Sequence, residues 1–140
     1  MATFNKFNYF VESMLTATHD LRAGSHVVKV YLATAVPNAT NSVKADIADI
    51  ASGHGYTAGG TTVGQGISRT GGTVVMTGAD IVWSGTGTGF GPFRYAVMFN
   101  DTPAAPVDPL IGYWDYGSNV SVAAGESFTV DIGTSILSVV

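Results

Sequence analysis

An all-β fold, an antiparallel β-sandwich of jelly-roll-like type with about eight strands, is what this sequence predicts, and three observations predict it. Runs of alternating apolar and polar side chains recur from residue 27 onward, the period of half-buried strands. Glycine-rich and proline-containing stretches separate those runs at intervals suited to turns. The chain has 140 residues and no cysteine, a length that supports one hydrophobic core without disulfide or zinc staples. The organisation expected is an N-terminal amphipathic helix or arm over 1–20, then a single sandwich domain over 21–140.

Residues 3–15 set Phe4, Phe7, Val11 and Met14 three or four apart, with Phe10 and Leu15 alongside, an apolar stripe at helical period. Such a stripe either packs on its own domain or docks on a neighbouring subunit, and its density of aromatic rings suits docking. From Ser25 the pattern alternates, with Val28, Val30, Leu32, Thr34 and Val36 on one face and Val27, Lys29, Tyr31 and Ala33 on the other. This predicts a long strand ended by Pro37. The stretch SVKADIADIA (42–51) brings Val43, Ile47 and either Ile50 or Ala51 to one side, with Ser42 or Asn41 placed to cap, so a short helix is expected near 43–51.

Six glycines between 53 and 66 predict loops around one short strand. Strands follow at Thr73–Thr77, at Asp80–Trp83 and at Pro92–Phe99, where Phe93, Tyr95, Val97 and Phe99 alternate with Arg94, Ala96 and Met98. The proline-punctuated NDTPAAPVDP connects to DPLIGYWDYGSNVSVAAGESFTVDI (108–132). There Leu110, Trp114, Val120, Val122, Phe128, Val130 and Ile132 occupy even positions, and Tyr113, Asp115, Ser121, Thr129 and Asp131 odd ones. Because a strand sends successive side chains to opposite faces, Trp114 is assigned to the core and Tyr113 to the outside. Gly117-Ser118-Asn119 reads as a bulge or turn, Ala124-Gly125-Glu126 as a hairpin, and Ser135–Val139 as the last strand.

Only 11% of residues are charged against 46% hydrophobic, well under the roughly 25% charged of ordinary soluble domains. Part of the surface is therefore expected to meet something other than water. A bilayer-spanning helix needs about 20 apolar residues in succession, and no such run exists, so a partner subunit is the better candidate. The start MATFNKFNYFVESML lacks the continuous apolar segment of a secretory signal. A net charge of −4 and six scattered cations, Lys6, Arg22, Lys29, Lys44, Arg69 and Arg94, offer no patch to neutralise phosphates, and no nucleic-acid partner is expected.

Chemistry-bearing residues are sparse. His19, His26 and His54 have no ligand-like spacing, no metal or other cofactor is expected, and only Asp46 and Asp49 among the carboxylates stand at helical i, i+3 spacing, the usual mark of a solvated face. GTGTGFG (85–91) lacks the lysine of a phosphate loop and lies between strands. Three Asn-X-Ser/Thr triplets, at Asn38, Asn100 and Asn119, carry no weight without a signal peptide. Tyr56, Trp83, Tyr113 and Tyr116 are the best candidates for a sugar-stacking platform, although contact with another subunit is the plainer use of an outward Tyr113. The expected role is not enzymatic, and Phe4, Phe7, Phe10, Val11, Met14 and Tyr113 are the candidate interface residues.

The succession HGYTAGG (54–60), IVWS (81–84), GPFRYAVMFNDTP (91–103) and DPLIGYWDYGSNVSVAAGESFTVDI (108–132), behind the start FNKFNYFVESMLTATHDL, resembles small virion structural proteins of tailed bacteriophages over nearly the whole chain. That resemblance implies a capsid cement or decoration protein, made in the host cytoplasm and carried on the virion head. Its partners would be further copies of itself, as dimer or trimer, and the major capsid protein; a membrane partner is not implied. The alternative is a receptor- or carbohydrate-binding module of a tail fibre or tail tip. The resemblance supplies no catalytic residues.

Overall fold

Two long neighbouring strands organise the computed structural model, which describes residues 2–140. These are β7 (Phe90–Asn100) and β8 (Leu110–Val122), centred in an antiparallel five-stranded sheet of order β1-β8-β7-β2-β3, where β1 is Phe4–Lys6, β2 is Val28–Ala33 and β3 is Thr61–Thr62. A three-stranded sheet joins β10 (Leu137–Val139), β5 (Thr73–Thr77) and β4 (Gly66–Thr70), and a two-stranded ribbon pairs β6 (Ile81–Ser84) with β9 (Ser127–Val130). The fold is all-β and sandwich-like, as expected. Among the described residues its strands number ten; β1 lies where the sequence pattern indicates a helix, and β4 lies in a segment to which the pattern assigns no strand.

The main core lies between the large sheet and the two smaller ones. Val28, Val30, Leu32, Ala96, Met98, Ile111 and Trp114 meet Met76, Ile81, Trp83 and Val130 there, and Phe10 closes one end. The opposite face of the large sheet is also covered. Tyr31, Ala33, Tyr95, Val97, Phe99 and Leu110 form a second core under Phe7 and Ile47. Every residue from Tyr95 to Asn100 is consequently buried, which is why β7 reads as a nearly continuous apolar run.

The N-terminal segment, expected as an amphipathic helix or arm, is a helix only in part. Residues 4–6 are a strand, with Phe4 opposite Trp114, Asn5 opposite Tyr113 and Lys6 opposite Gly112, and the helix, α1, covers only Asn8–Leu15. Phe7 and Phe10 are fully buried within their own chain, on opposite sides of the sheet, so neither is free to anchor another subunit. Gly112 makes this possible: a Cβ there would stand 2.6 Å from the Asn5 carbonyl and run into the Phe4 ring. The three- and four-residue spacing of the rings thus serves a strand, a crossing residue and one helical face in turn.

Three further expectations are corrected. The strand from Ser25 ends at Ala33, and Val36 is 75% exposed. In place of a helix near 43–51 there is one 3-10 turn, Lys44–Asp46, because long-range bonds draw the segment out. Lys44 donates to the Asp108 carbonyl at 2.9 Å, Ile50 to the Leu32 carbonyl at 3.0 Å, and Ile47 is drawn into the second core. Parity within β8 fails at a bulge: Met98 faces Gly112 but Phe99 faces Leu110, and the extra residue turns Leu110 into the second core while Ile111 and Trp114 stay in the main one. Tyr113 does lie opposite Trp114, yet its face is covered and the ring is half-buried, 5.3 Å from Phe7 and 6.4 Å from Tyr95. The expected interruption at Gly117-Ser118-Asn119 is present as a break in register between the Phe93–Val120 and Tyr95–Asp115 pairs, with Gly117 at φ +82°.

Phe7→Ala should cost about 3–5 kcal/mol in denaturant unfolding, whereas Val36→Ala should stay within roughly 0.5 kcal/mol. Equal, small effects would show that the second face is not a core.

Candidate functional site

An apolar groove of about 650 Å³ lies where the N- and C-terminal elements meet. One wall is β1 and α1, contributing Phe4, Phe10, Val11 and Met14; the other is the β10 region, contributing Ile136, Leu137 and Val139. Phe10 forms the buried floor, Phe4 and Met14 are half-buried, and Val11 is 41% exposed. β1 and β10 are end strands of two different sheets, so each keeps one backbone edge unpaired by its own sheet.

Each side chain is placed by local structure. The Phe4 ring rests on Trp114 with centroids 5.0 Å apart, over the space left by Gly112. Phe10, Val11 and Met14 share the helix face that the three-to-four spacing places together. β10 is held by pairing Leu137 with Met76 and Val139 with Val74. Lys6 is the only charged residue lining the groove among the described residues. An arrangement with apolar walls, one cation and strand edges can bury apolar side chains and accept backbone hydrogen bonds; it brings no acid, base or nucleophile to a common point.

Of the six interface candidates, Phe4, Phe10, Val11 and Met14 are gathered here; Phe7 and Tyr113 lie together beneath the other face of the sheet. The wall from β10 was missed by sequence reasoning. Its apolar run was legible as a strand, but nothing local says which strand it pairs with or that it reaches α1.

The proposed stacking platform is not assembled. Tyr56 and Trp83 are buried, with rings 5.8 Å apart, Tyr116 abuts Phe128 edge-on at 4.9 Å, and Tyr113 is on the opposite side of the sheet. Tyr56 instead clamps a loop: its hydroxyl donates to Asp49 Oδ1 at 2.5 Å and accepts from the Leu32 amide at 2.9 Å, while Asp49 Oδ2 accepts from the Gly59 amide. Burial first, then the Asp49 carboxylate, pushes the Tyr56 phenol well above its ordinary value; burial, followed by Asp49 and Asp46, does the same for Tyr31, whose hydroxyl donates to the Ile47 carbonyl at 2.8 Å. No group of three or more His, Asp or Glu residues that could hold a metal ion is found among the described residues. Among the described residues no helix is long and apolar enough to cross a membrane.

Comparison with protein-family models, with curated proteins and with solved structures finds no match.

Two outcomes follow from this geometry. Gly112→Ala should displace Phe4 and lower stability by about 1–3 kcal/mol, with loss of amide protection at residues 4–6 ahead of β7. In an absorbance titration near pH 11, the native protein should fall short of its six tyrosines by at least Tyr31 and Tyr56, whose unfolded forms ionise near pH 10. Because the unfolded chain loses these protons first, stability is full below about pH 10 and falls above it.

Proposed function

We propose that this chain is a virion structural protein of a tailed bacteriophage, a head cement or decoration subunit that self-associates and binds across capsomers. The observation that carries the reading is the terminal groove: apolar walls from α1, β1 and β10 with one charged residue among its lining. It sits on a chain whose charged fraction, 11%, is low for a surface that meets only water. A groove of this character buries apolar side chains of a neighbour, and repeated contacts of ordinary size, about 1,600 Å² each, accumulate avidity over a symmetric shell without strong individual bonds. The order of sequence phrases that resembles phage structural proteins points the same way. The tail-fibre carbohydrate reading gains no comparable support, because its four rings share no exposed surface.

Cryo-electron microscopy of the parent virion tests the assignment. Density for this chain at symmetry-related sites over the head, with a neighbour seated between α1 and β10, is the expected result; density confined to the tail, or absent from the particle, overturns it. In sedimentation, the protein should self-associate with rising concentration. Val11→Asp should weaken that association at least tenfold, about 1.4 kcal/mol, while leaving unfolding stability within roughly 0.5 kcal/mol.

A further inference from the structure

Behind α1 lies a polar cluster that the groove does not use. Asn100, the last residue of β7, is completely buried, and its amide nitrogen stands 3.0 Å from Nδ1 of His19 and 3.0 Å from Nδ1 of His26. The orientation of that amide follows from its neighbours. The Thr102 backbone N–H approaches Asn100 Oδ1 at 3.2 Å; it can only donate, so the oxygen must face it and the NH₂ must face the imidazoles.

Two amide hydrogens therefore meet two ring nitrogens, and both Nδ1 atoms must be bare acceptors. His26 Nδ1 also receives the Asp20 N–H at 3.2 Å, an independent requirement for the same state. His19 carries its proton on Nε2, which donates to Ser13 Oγ at 2.9 Å, and the buried Ser13 hydroxyl donates onward to the Phe10 carbonyl at 3.0 Å. The network is complete with both rings neutral and has no place for a proton on either Nδ1.

We propose that His19, His26 and Asn100 form an acid-sensitive latch that holds α1 and the 16–27 segment against the end of β7, and that protonation of His19 opens it. A proton gained at Nδ1 sets a ring N–H against the amide NH₂, replacing a hydrogen bond with two opposed donors. The surrounding charges do not offset this. On the same segment, both Asp20 carboxylate oxygens are engaged by Arg22, at 2.8 and 2.5 Å. Beside Asn100, Asp101 pairs with Lys29 of β2 at 2.7 Å. In the 101–109 connection, burial and then the neighbouring Asp101 raise the Asp108 carboxyl above its ordinary value. From α1 the His19 ring faces Ser13 and the Phe10 ring, 5.2 Å away, while Glu12 is exposed. From the 63–66 loop, Gln65 donates to the His26 carbonyl.

Burial, and then the neighbouring His26, lowers the His19 pKa from its ordinary 6.5 to about 4. The folded value lies below the unfolded one, so the unfolded chain takes up the proton first; the contribution of the neutral ring is full above about pH 6.5 and is lost as pH falls toward 4. The same helix carries Phe10, Val11 and Met14 to the groove, so opening the latch would unseat one groove wall. The latch itself does not depend on what occupies the groove.

The test is made on the dilute full-length chain by NMR, with histidine nitrogen shifts read at pH 7 and amide protection, corrected for intrinsic exchange, compared at pH 7 and 4.5. At pH 7 both rings should be Nε2–H tautomers. On acidification the Thr16, Thr18 and His26 amides should lose at least about tenfold of their protection, the equivalent of one pKa unit, while β7 and β8 hold theirs. The His19→Gln, His26→Gln double variant should abolish that difference. An Nδ1–H tautomer on either ring, unchanged protection at pH 4.5, or an equal loss in the variant would each overturn the proposal. The tautomer and protection readings on the natural sequence decide it even where the variant does not fold.

Discussion

The pairing of β7 with β8 is the constraint on which the rest of this structure depends. These strands run together from Phe90 opposite Val122 to Phe99 opposite Leu110, and the sheet they centre is apolar on both faces. A sheet of that kind must be covered twice. The smaller sheets cover one face; Phe7 and Ile47 cover the other. The loop clamp at Asp49 and Tyr56 fastens the connection between β2 and β3, whose Ile47 lies in the second core and whose Tyr56 ring lies in the main one; a loop laid over hydrophobic surface needs its own polar groups satisfied.

The same constraint determines what the N-terminal segment can do. Its backbone extends the large sheet by one short strand, and its rings divide between the two cores, with Gly112 providing the space for Phe4. Once those needs are met, a contiguous stretch of apolar surface remains on the outer side of α1 and along β10. The groove is thus what is left over when the chain has covered its own sheet. That residue of uncovered apolar surface, and not a reactive constellation, gives the molecule its functional character.

A small set of buried polar groups, Ser13, Gln65 and Asn100, stands where α1, the 16–27 segment and the end of β7 converge. Polar groups in such a position are costly unless each donor finds an acceptor, and here the count closes only with both imidazoles neutral. Apolar packing makes α1 adhere; the hydrogen-bond network determines where it adheres and under what protonation.

What was legible in the sequence was whatever depends on neighbours along the chain. Alternation identified β5 at Thr73–Thr77, the inward Trp114 and the break at Gly117-Ser118-Asn119, because side-chain direction in a strand is a local property. Composition likewise indicated a surface short of charge, and the spacing of Phe4, Phe7, Val11 and Met14, with Phe10 alongside, marked an apolar stripe of which all but Phe7 lines the groove. Pairing partners decided the remainder. Residues 4–6 became a strand only because β8 offered an edge, the 43–51 stretch was drawn from a helix into one 3-10 turn by bonds to residues 32 and 108, and Leu110 changed face through one bulge. The groove required β10 to arrive beside α1, and the latch required Asn100 to meet histidines 74 and 81 positions away. By itself, then, the sequence determined the class of fold and the scarcity of charge, since these follow from local periodicity and composition; the tertiary structure alone decided which apolar residues stayed exposed and which polar ones met, since both depend on contacts between segments far apart in the chain.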